Sequence, residues 1–187
     1  MTWLWIVIAI VVVLLLVVVY LFNKVVRLRN EVNTGWSNID VQLKRRNDLI
    51  PNLVETVKGY AAHERGVFEA VTNARAAMAR ASSPAEAGAA DSLLGQALGR
   101  LFAVAEAYPD LKASQNFLQL QSELTDTEDK ISAARRYYNA TVLAYNNAIQ
   151  TFPTLLFAGM FGFAAREFFA ADEGDRAPVD VSFQPSA

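Results

Sequence analysis

The hydrophobic pattern begins with one uninterrupted apolar stretch, residues 3–22, which contains no charged residue. A helix of this length covers about 30 Å, the thickness of the hydrocarbon core of a bilayer. Trp3 and Trp5 at one end and Tyr20 at the other are placed like the aromatic residues of the two membrane–water interfaces. The pattern therefore predicts a transmembrane anchor over residues 1–23.

A cleaved signal peptide is the alternative interpretation of this stretch. Its positively charged leading region is missing, its apolar core is longer than such a peptide needs, and no small-residue cleavage site follows Tyr20. Lys24, Arg27 and Arg29 follow the span, so the positive-inside rule predicts the amino terminus outside and the remaining domain in the cytoplasm. These three side chains are also the candidates for contact with lipid headgroups, because they would lie at the cytoplasmic leaflet.

Beyond the anchor, apolar residues recur at steps of three and four, which is the spacing of one helix face. The first stripe consists of Val25, Leu28, Val32, Trp36, Ile39 and Leu43. Pro51 interrupts it, and a proline inside a helix produces either a kink or a reversal. Because the stripe resumes at once with Leu53, Val57 and Tyr60, we expect one long helix, kinked at Pro51, that continues to about Arg80.

Two turns divide the next part of the chain. Ser82-Ser83-Pro84 is a helix cap followed by proline at the first helical position. The alanine-rich helix that follows, to about Ala107, carries Gly95 and Gly99 at a spacing that suggests dimerisation in lipid. Its polar neighbours favour close helix packing or local flexibility instead. Tyr108-Pro109-Asp110 forms the second turn.

The most regular stripe comes next and ends at Phe152-Pro153. It steps by three and four throughout, as in a coiled coil, and consists of Phe117, Leu120, Leu124, Thr127, Ile131, Ala134, Tyr138, Thr141, Tyr145 and Ala148. Stripes of this length must be buried against one another. Residues 24–153 are therefore predicted to form an all-α fold, an antiparallel bundle of long helices.

Residues 154–171 are rich in phenylalanine and are predicted to form an apolar or amphipathic helix. The uncharged part, 154–165, is too short to span a bilayer. A patch of this size is expected to be covered by the bundle, another subunit or a membrane surface. The candidate residues for an oligomer or membrane contact are Phe157, Phe161, Phe163, Phe168 and Phe169. Residues 172–187 are acidic, contain proline and are predicted to be disordered.

Composition restricts the chemistry further. The chain has no cysteine, which excludes disulfides and thiol chemistry, and its net charge of −2 argues against nucleic-acid binding. His63 is the one histidine, and a buried or capping contact for His63-Glu64 is a simpler interpretation than a metal or acid–base pair. For Lys44-Arg45-Arg46, ion pairing with Asp40 and Asp48 competes with phosphate or headgroup binding. No nucleotide-binding or hydrolase motif is present, so we expect no cofactor, no metal and no enzymatic activity.

Several long motifs are dispersed across residues 24–170. They are WSNIDVQLKRR at 36–46, DLIPNLV at 48–54, VKGYA at 57–61 with His63-Glu64, and YPDLKA at 108–113. Further along come Phe117-Leu118, Leu120-Gln121, Glu123-Leu124, Thr127-Glu128, Ala134-Arg135, Tyr138-Asn139, Tyr145-Asn146 and Phe152-Pro153. Together these motifs resemble those of the LemA family.

The resemblance implies a bacterial inner-membrane protein with a short outside amino terminus, a helical cytoplasmic domain and no established enzymatic activity. One branch of the family is associated with the formation of magnetosome membrane vesicles. The resulting hypothesis is a membrane-anchored scaffold that forms a homo-oligomer and organises or shapes the membrane through its contacts with lipid. The alternative is an adaptor that binds a membrane protein partner, such as a membrane metalloprotease.

Overall fold

The computed structural model describes residues 2–169, and these residues are almost entirely helical, as predicted. The helices are α1 (Thr2–Lys58), α2 (Arg65–Arg80), α3 (Pro84–Glu106), α4 (Pro109–Lys112), α5 (Gln115–Gln150) and α6 (Leu155–Ala158). The predicted disordered tail, 172–187, lies outside the described residues, as do residues 170 and 171 at the end of the phenylalanine-rich segment.

Helix α1 contains both the apolar stretch and the first helix of the bundle, without a break between them. Its apolar window has a mean hydropathy of 3.4 and buries none of its residues in the protein. Among the described residues, α1 is the helix long and apolar enough to cross a membrane. The predicted single-span anchor thus continues directly into the domain.

Pro51 lies inside α1, as predicted, and does not reverse the chain. A proline has no N–H, so the carbonyl four residues earlier loses its helical hydrogen bond. That carbonyl belongs to Asn47, and the side chain of Arg75 donates a hydrogen bond to it from Nε at 3.2 Å. Packing of α2 against α1 therefore satisfies the backbone group that Pro51 leaves open.

The helix nevertheless ends at Lys58, so the prediction that it continues to Arg80 was wrong. Residues 59–64 form a turn in which the N–H groups of Tyr60 and Ala61 both donate to the Val57 carbonyl, at 3.0 and 2.9 Å. Tyr60, placed in the stripe by its spacing, is exposed. Gly59 weakens the helix at this point, and the buried contacts of Ala61 and Phe68 stabilise the reversal.

The distal part of the domain, away from the apolar stretch, is an antiparallel bundle of α1, α2, α3 and α5. Arg75 of α2 contacts Asn47 of α1, and Phe102 of α3 packs on Phe117 of α5 with ring centroids 6.2 Å apart. In α5, Leu124 and Ile131 are both buried, as the stripe predicts. The long apolar faces therefore bury one another in the predicted manner.

Of the four bundle helices, α1 and α5 continue toward the apolar stretch. Helix α2 ends near Leu43 of α1, with which Met78 and Ala79 line one pocket. Gly35 lies in this two-helix part, where an added Cβ would be 3.3 Å from the Cα of Tyr138. The missing side chain lets the two helices approach closely. By contrast, a Cβ at Gly95 or Gly99 would meet nothing within 4 Å, so those two glycines do not mediate close packing within the chain.

The phenylalanine-rich segment is not one helix, and this part of the prediction was wrong. Helix α6 covers only Leu155–Ala158. Gly162 then adopts a left-handed conformation, with φ of +71°, which glycine accepts without steric cost. After it the chain has no regular secondary structure up to residue 169 and returns along α5.

Candidate membrane-contact site

The returning segment, residues 163–169, is called the strap here, and polar side chains of α5 hold it by its backbone. Asn146 receives the N–H of Arg166 at 2.8 Å and donates to the Arg166 carbonyl at 2.9 Å. Asn139 makes the same pair of bonds with Phe169, at 2.9 and 3.2 Å. The two asparagines are seven residues apart, about two helical turns, so they share one face of α5. Their amide groups pair with backbone N–H and C=O groups of the strap, as a neighbouring strand would. These bonds fix the direction in which the strap runs along α5.

Two of the predicted contact phenylalanines belong to the strap, and both are buried within the chain. Phe163 lies under the guanidinium of Arg29, 5.7 Å from the ring centroid, and Phe169 lies under that of Arg135 at 5.5 Å. The Phe169 ring is also 6.4 Å from that of Trp36. Intramolecular packing therefore accounts for Phe163 and Phe169, while Phe168 between these contacts is half exposed.

The preceding residues, 152–161, are called the apolar turn and lie beside α1 at the point where the apolar stretch finishes. The ring of Phe161 is 5.1 Å from that of Phe22, the last residue of that stretch. Phe157 packs on Phe161 at 5.9 Å. The predicted residues Phe157 and Phe161 are thus brought to the end of the domain next to the apolar stretch.

Large side chains of the apolar turn point away from the protein. Phe152, Leu156 and Met160 are 79%, 71% and 80% exposed. These three residues were not among the predicted contact residues, because the segment was expected to be a helix with its phenylalanines on one face. Pro153 and Gly159 in this turn, with Gly162 directly after it, were the available signal for a turn.

The predicted headgroup residues lie beside this turn, but they differ in environment. Lys24 and Arg27 are exposed within about two helical turns of Phe22. Arg29 is partly buried and engages Phe163. Lys24 and Arg27 are therefore accessible to phosphate groups, whereas Arg29 also has a packing role.

A buried ionic cluster lies farther along the bundle and was predicted with the wrong partners. Arg46 is 1% exposed and pairs through Nη2 with Asp91 of α3 and through Nη1 with Glu128 of α5, the latter at 2.7 Å. Arg135 joins the same carboxylates at 2.9 and 3.3 Å. The predicted local pairing holds for Lys44 with Asp40, at 2.8 Å on the surface. Arg46 instead occupies a buried position of the apolar stripe, between Leu43 and Ile50. This spacing was present in the sequence and indicated that Arg46 faces the interior.

Burial raises the pKa of the Asp91 carboxyl above its ordinary range, and the neighbouring Arg46 and Arg135 guanidiniums lower that pKa in part. Two cations around one buried carboxylate offset much of its desolvation cost. The cluster links α1, α3 and α5 and requires a defined register among them. This arrangement fits a structural role.

Other polar candidates do not converge on a site. His63 is exposed, and Glu64 precedes α2 without making a side-chain capping bond. No group of three or more potential metal ligands occurs between residues 2 and 169. A groove of about 410 Å³ lies between α3 and α5 and is lined in part by Gly95, Gly99 and Glu128.

Comparison with known proteins gives a consistent result. A sequence model described as the LemA family matches residues 35–183. Protein LemA of Metamycoplasma hominis is 31% identical over 164 residues, covering 86% of this chain and 74% of that protein. Magnetosome protein MamQ of Magnetospirillum gryphiswaldense and Magnetosome protein MamQ 2 of Paramagnetospirillum magneticum are each 27% identical over 184 residues, covering 84% of this chain and 68% of theirs.

Proposed function

The chain belongs to the LemA family, and on this premise we propose that it is a membrane-anchored helical scaffold that self-assembles and organises or shapes the bacterial inner membrane. In this proposal the domain faces the cytoplasm, the lipids are direct partners and the protein catalyses no reaction. The orientation follows from Lys24, Arg27 and Arg29 after the span.

The observation that carries the proposal is the continuity of α1. Its 57 residues correspond to a rod about 85 Å long, shared between the apolar stretch and the bundle. A hinge between the two would let the domain move independently of the membrane. Without one, contacts between neighbouring bundles would set the tilt and spacing of the spans, which is how a scaffold can impose order on a bilayer.

The relatives support this role without establishing it. Two of them are named as magnetosome proteins, and we extend to this chain a role in building an ordered membrane-associated structure. The ionic cluster of Arg46, Asp91, Glu128 and Arg135 supports the same interpretation, because its charges join three helices.

The primary test is the mass of the purified full chain in mild detergent, measured by light scattering. The proposal expects a large homo-oligomer, and a monomer at all concentrations would contradict it. A second measurement addresses stiffness: a short glycine linker inserted after Asn23 should leave the mass unchanged but abolish any effect on liposome shape. The same linker inserted between Ala81 and Ser82, in a connection between helices, is the matched control and should preserve that effect.

An adaptor for a membrane protein partner is the second candidate, and the groove between α3 and α5 favours it. Gly95 and Gly99 leave this part of α3 without side chains, so a partner helix would have space to approach. A monomeric protein whose partner capture is lost in Gly99→Leu would support the adaptor. An oligomer whose mass and liposome effect are unchanged in Gly99→Leu would support the scaffold.

A further inference from the structure

The apolar turn combines strong exposure with a fixed position relative to the membrane span. Phe152, Leu156 and Met160 are each more than two-thirds exposed, although Thr154 and Ala158 in the same turn are buried. We propose that the apolar turn enters the lipid surface beside α1 and forms a second membrane contact that does not span the bilayer. This inference rests on the membrane anchoring in the proposed function, but not on self-assembly.

The contact between Phe22 and the turn determines its depth. The rings of Phe161 and Phe163 lie 5.1 and 5.5 Å from that of Phe22. Phe22 is the last residue of the apolar stretch, so the hydrocarbon boundary lies near it when the stretch spans the membrane. Side chains that project from the turn at this level face the interfacial region of the same bilayer.

The charge pattern around the turn agrees with this placement. No Asp, Glu, Lys or Arg occurs between Arg136 and Arg166, so the end of α5 and the whole turn reach the lipid without an ionised group to desolvate. Lys24 and Arg27 of α1 follow Phe22 directly, at the height of the phosphate groups. Apolar side chains at the acyl boundary with cations at headgroup level are typical of interfacial membrane contacts.

A second copy of the chain is the other possible cover for the turn. Phe163 and Phe169, which would contribute most to a protein interface, are already buried within the chain. The exposed residues of the turn lie beside Phe22, where the exposed apolar stretch of α1 ends. Lipid is therefore the occupant that these observations favour.

The absence of cysteine makes a labelling experiment direct. The full chain carrying Leu156→Cys, labelled with an environment-sensitive fluorophore, is placed in nanodiscs at one copy per disc. The matched control is Leu118→Cys, at a leucine that is also exposed but lies near the start of α5, at the distal end of the bundle. We expect blue-shifted emission and strong quenching by lipid-borne nitroxides at position 156, and water-like emission with little quenching at position 118.

Equal emission and equal quenching at positions 156 and 118 would overturn the inference. Met160→Cys is the second variant and should behave as Leu156→Cys does, so a local effect of one substitution does not decide the result. If the label becomes shielded only when several copies share a disc, and lipid quenchers do not reach it, a second copy covers the turn and the inference is wrong.

The outcomes also separate this inference from the proposed scaffold. A monomer in detergent whose label at position 156 lies in lipid refutes self-assembly and leaves the lipid contact established. An oligomer whose label at position 156 remains in water at one copy per disc supports self-assembly and refutes the lipid contact.

Discussion

Replacing Arg46 by methionine tests whether the buried cluster holds the bundle together. Methionine keeps much of the side-chain volume but removes the charge. Asp91, whose side chain is 2% exposed, then loses one of its two guanidinium partners and keeps Arg135 at 2.9 Å. Glu128 loses less, because its side chain is 47% exposed and water can replace the contact.

The magnitude follows from the burial of Asp91. Removing one partner of a buried ion pair costs about 3–5 kcal/mol, and the retained Arg135 contact places Arg46→Met near the lower end, at about 3 kcal/mol. Replacing both charges by apolar residues of similar size is often neutral or stabilising. The double variant Arg46→Met with Asp91→Leu should therefore recover most of the loss, so that it loses much less stability than the sum of the two single variants.

The assay is urea unfolding of the full chain in detergent micelles, followed by far-ultraviolet circular dichroism. Lys44→Met is the matched control: it removes a neighbouring cation whose pair with Asp40 is exposed, and it should change the unfolding midpoint little. Two results would contradict this prediction. Arg46→Met could lower the unfolding midpoint no more than Lys44→Met does, or the double variant could lose as much stability as the two single variants together. Either result would mean that Arg46 and Asp91 do not stabilise the fold as a pair.

The same variant has a predictable pH dependence. Burial already raises the pKa of Asp91, and Arg46 is the largest of the influences that lower it, so Arg46→Met should raise this pKa further. A carboxyl whose pKa is higher in the folded than in the unfolded state stabilises the fold as the pH falls through the folded-state value. Arg46→Met should therefore regain stability relative to the wild type on mild acidification, and a growing difference would contradict the assignment.

Three further predictions address packing and topology. Leu124→Ala should lower the free energy of unfolding by about 2–5 kcal/mol, whereas Gln119→Ala on the exposed face should not; equal losses in the unfolding assay would place the stripe on the wrong face. Gly35→Leu should cost about 1–3 kcal/mol by overpacking, while Gly95→Leu should raise or maintain the melting temperature, because its side chain enters open space; the reverse order would contradict the close approach at Gly35. Leu118→Cys should resist membrane-impermeant thiol reagents in intact cells, and labelling before lysis would place the domain outside.

The predictable parts of the fold depend on local patterns. The apolar stretch before Lys24 was recognisable because partitioning into lipid depends on the residues of one segment. The stripe of α5 was recognisable because its period is a property of one helix, whatever it packs against. Continuity through Pro51 was also predictable from the resumed stripe, although the satisfaction of the Asn47 carbonyl by Arg75 was not.

The candidate site was predictable only in composition. A membrane or oligomer contact was expected from the phenylalanines of residues 154–171, but not that Phe163 would turn inward while Leu156 and Met160 turned outward. Which side chains remain exposed depends on the path of the strap, and hydrogen bonds from Asn139 and Asn146 determine that path. These partners lie 20 and 30 residues away along the chain, so no local pattern identifies them.

The sequence by itself determined an apolar stretch long enough to span a membrane, a set of long amphipathic helices and their burial against one another, because hydropathy and helical period act over a few turns. The tertiary structure decided that α1 ends at Lys58, that Arg46 pairs with Asp91, and that the apolar turn lies against Phe22. Each of these depends on the free energy of bringing distant segments together. The same apolar stripes would allow several ways of packing the helices together. The observed packing buries the apolar faces and also pairs the buried Arg46 with Asp91.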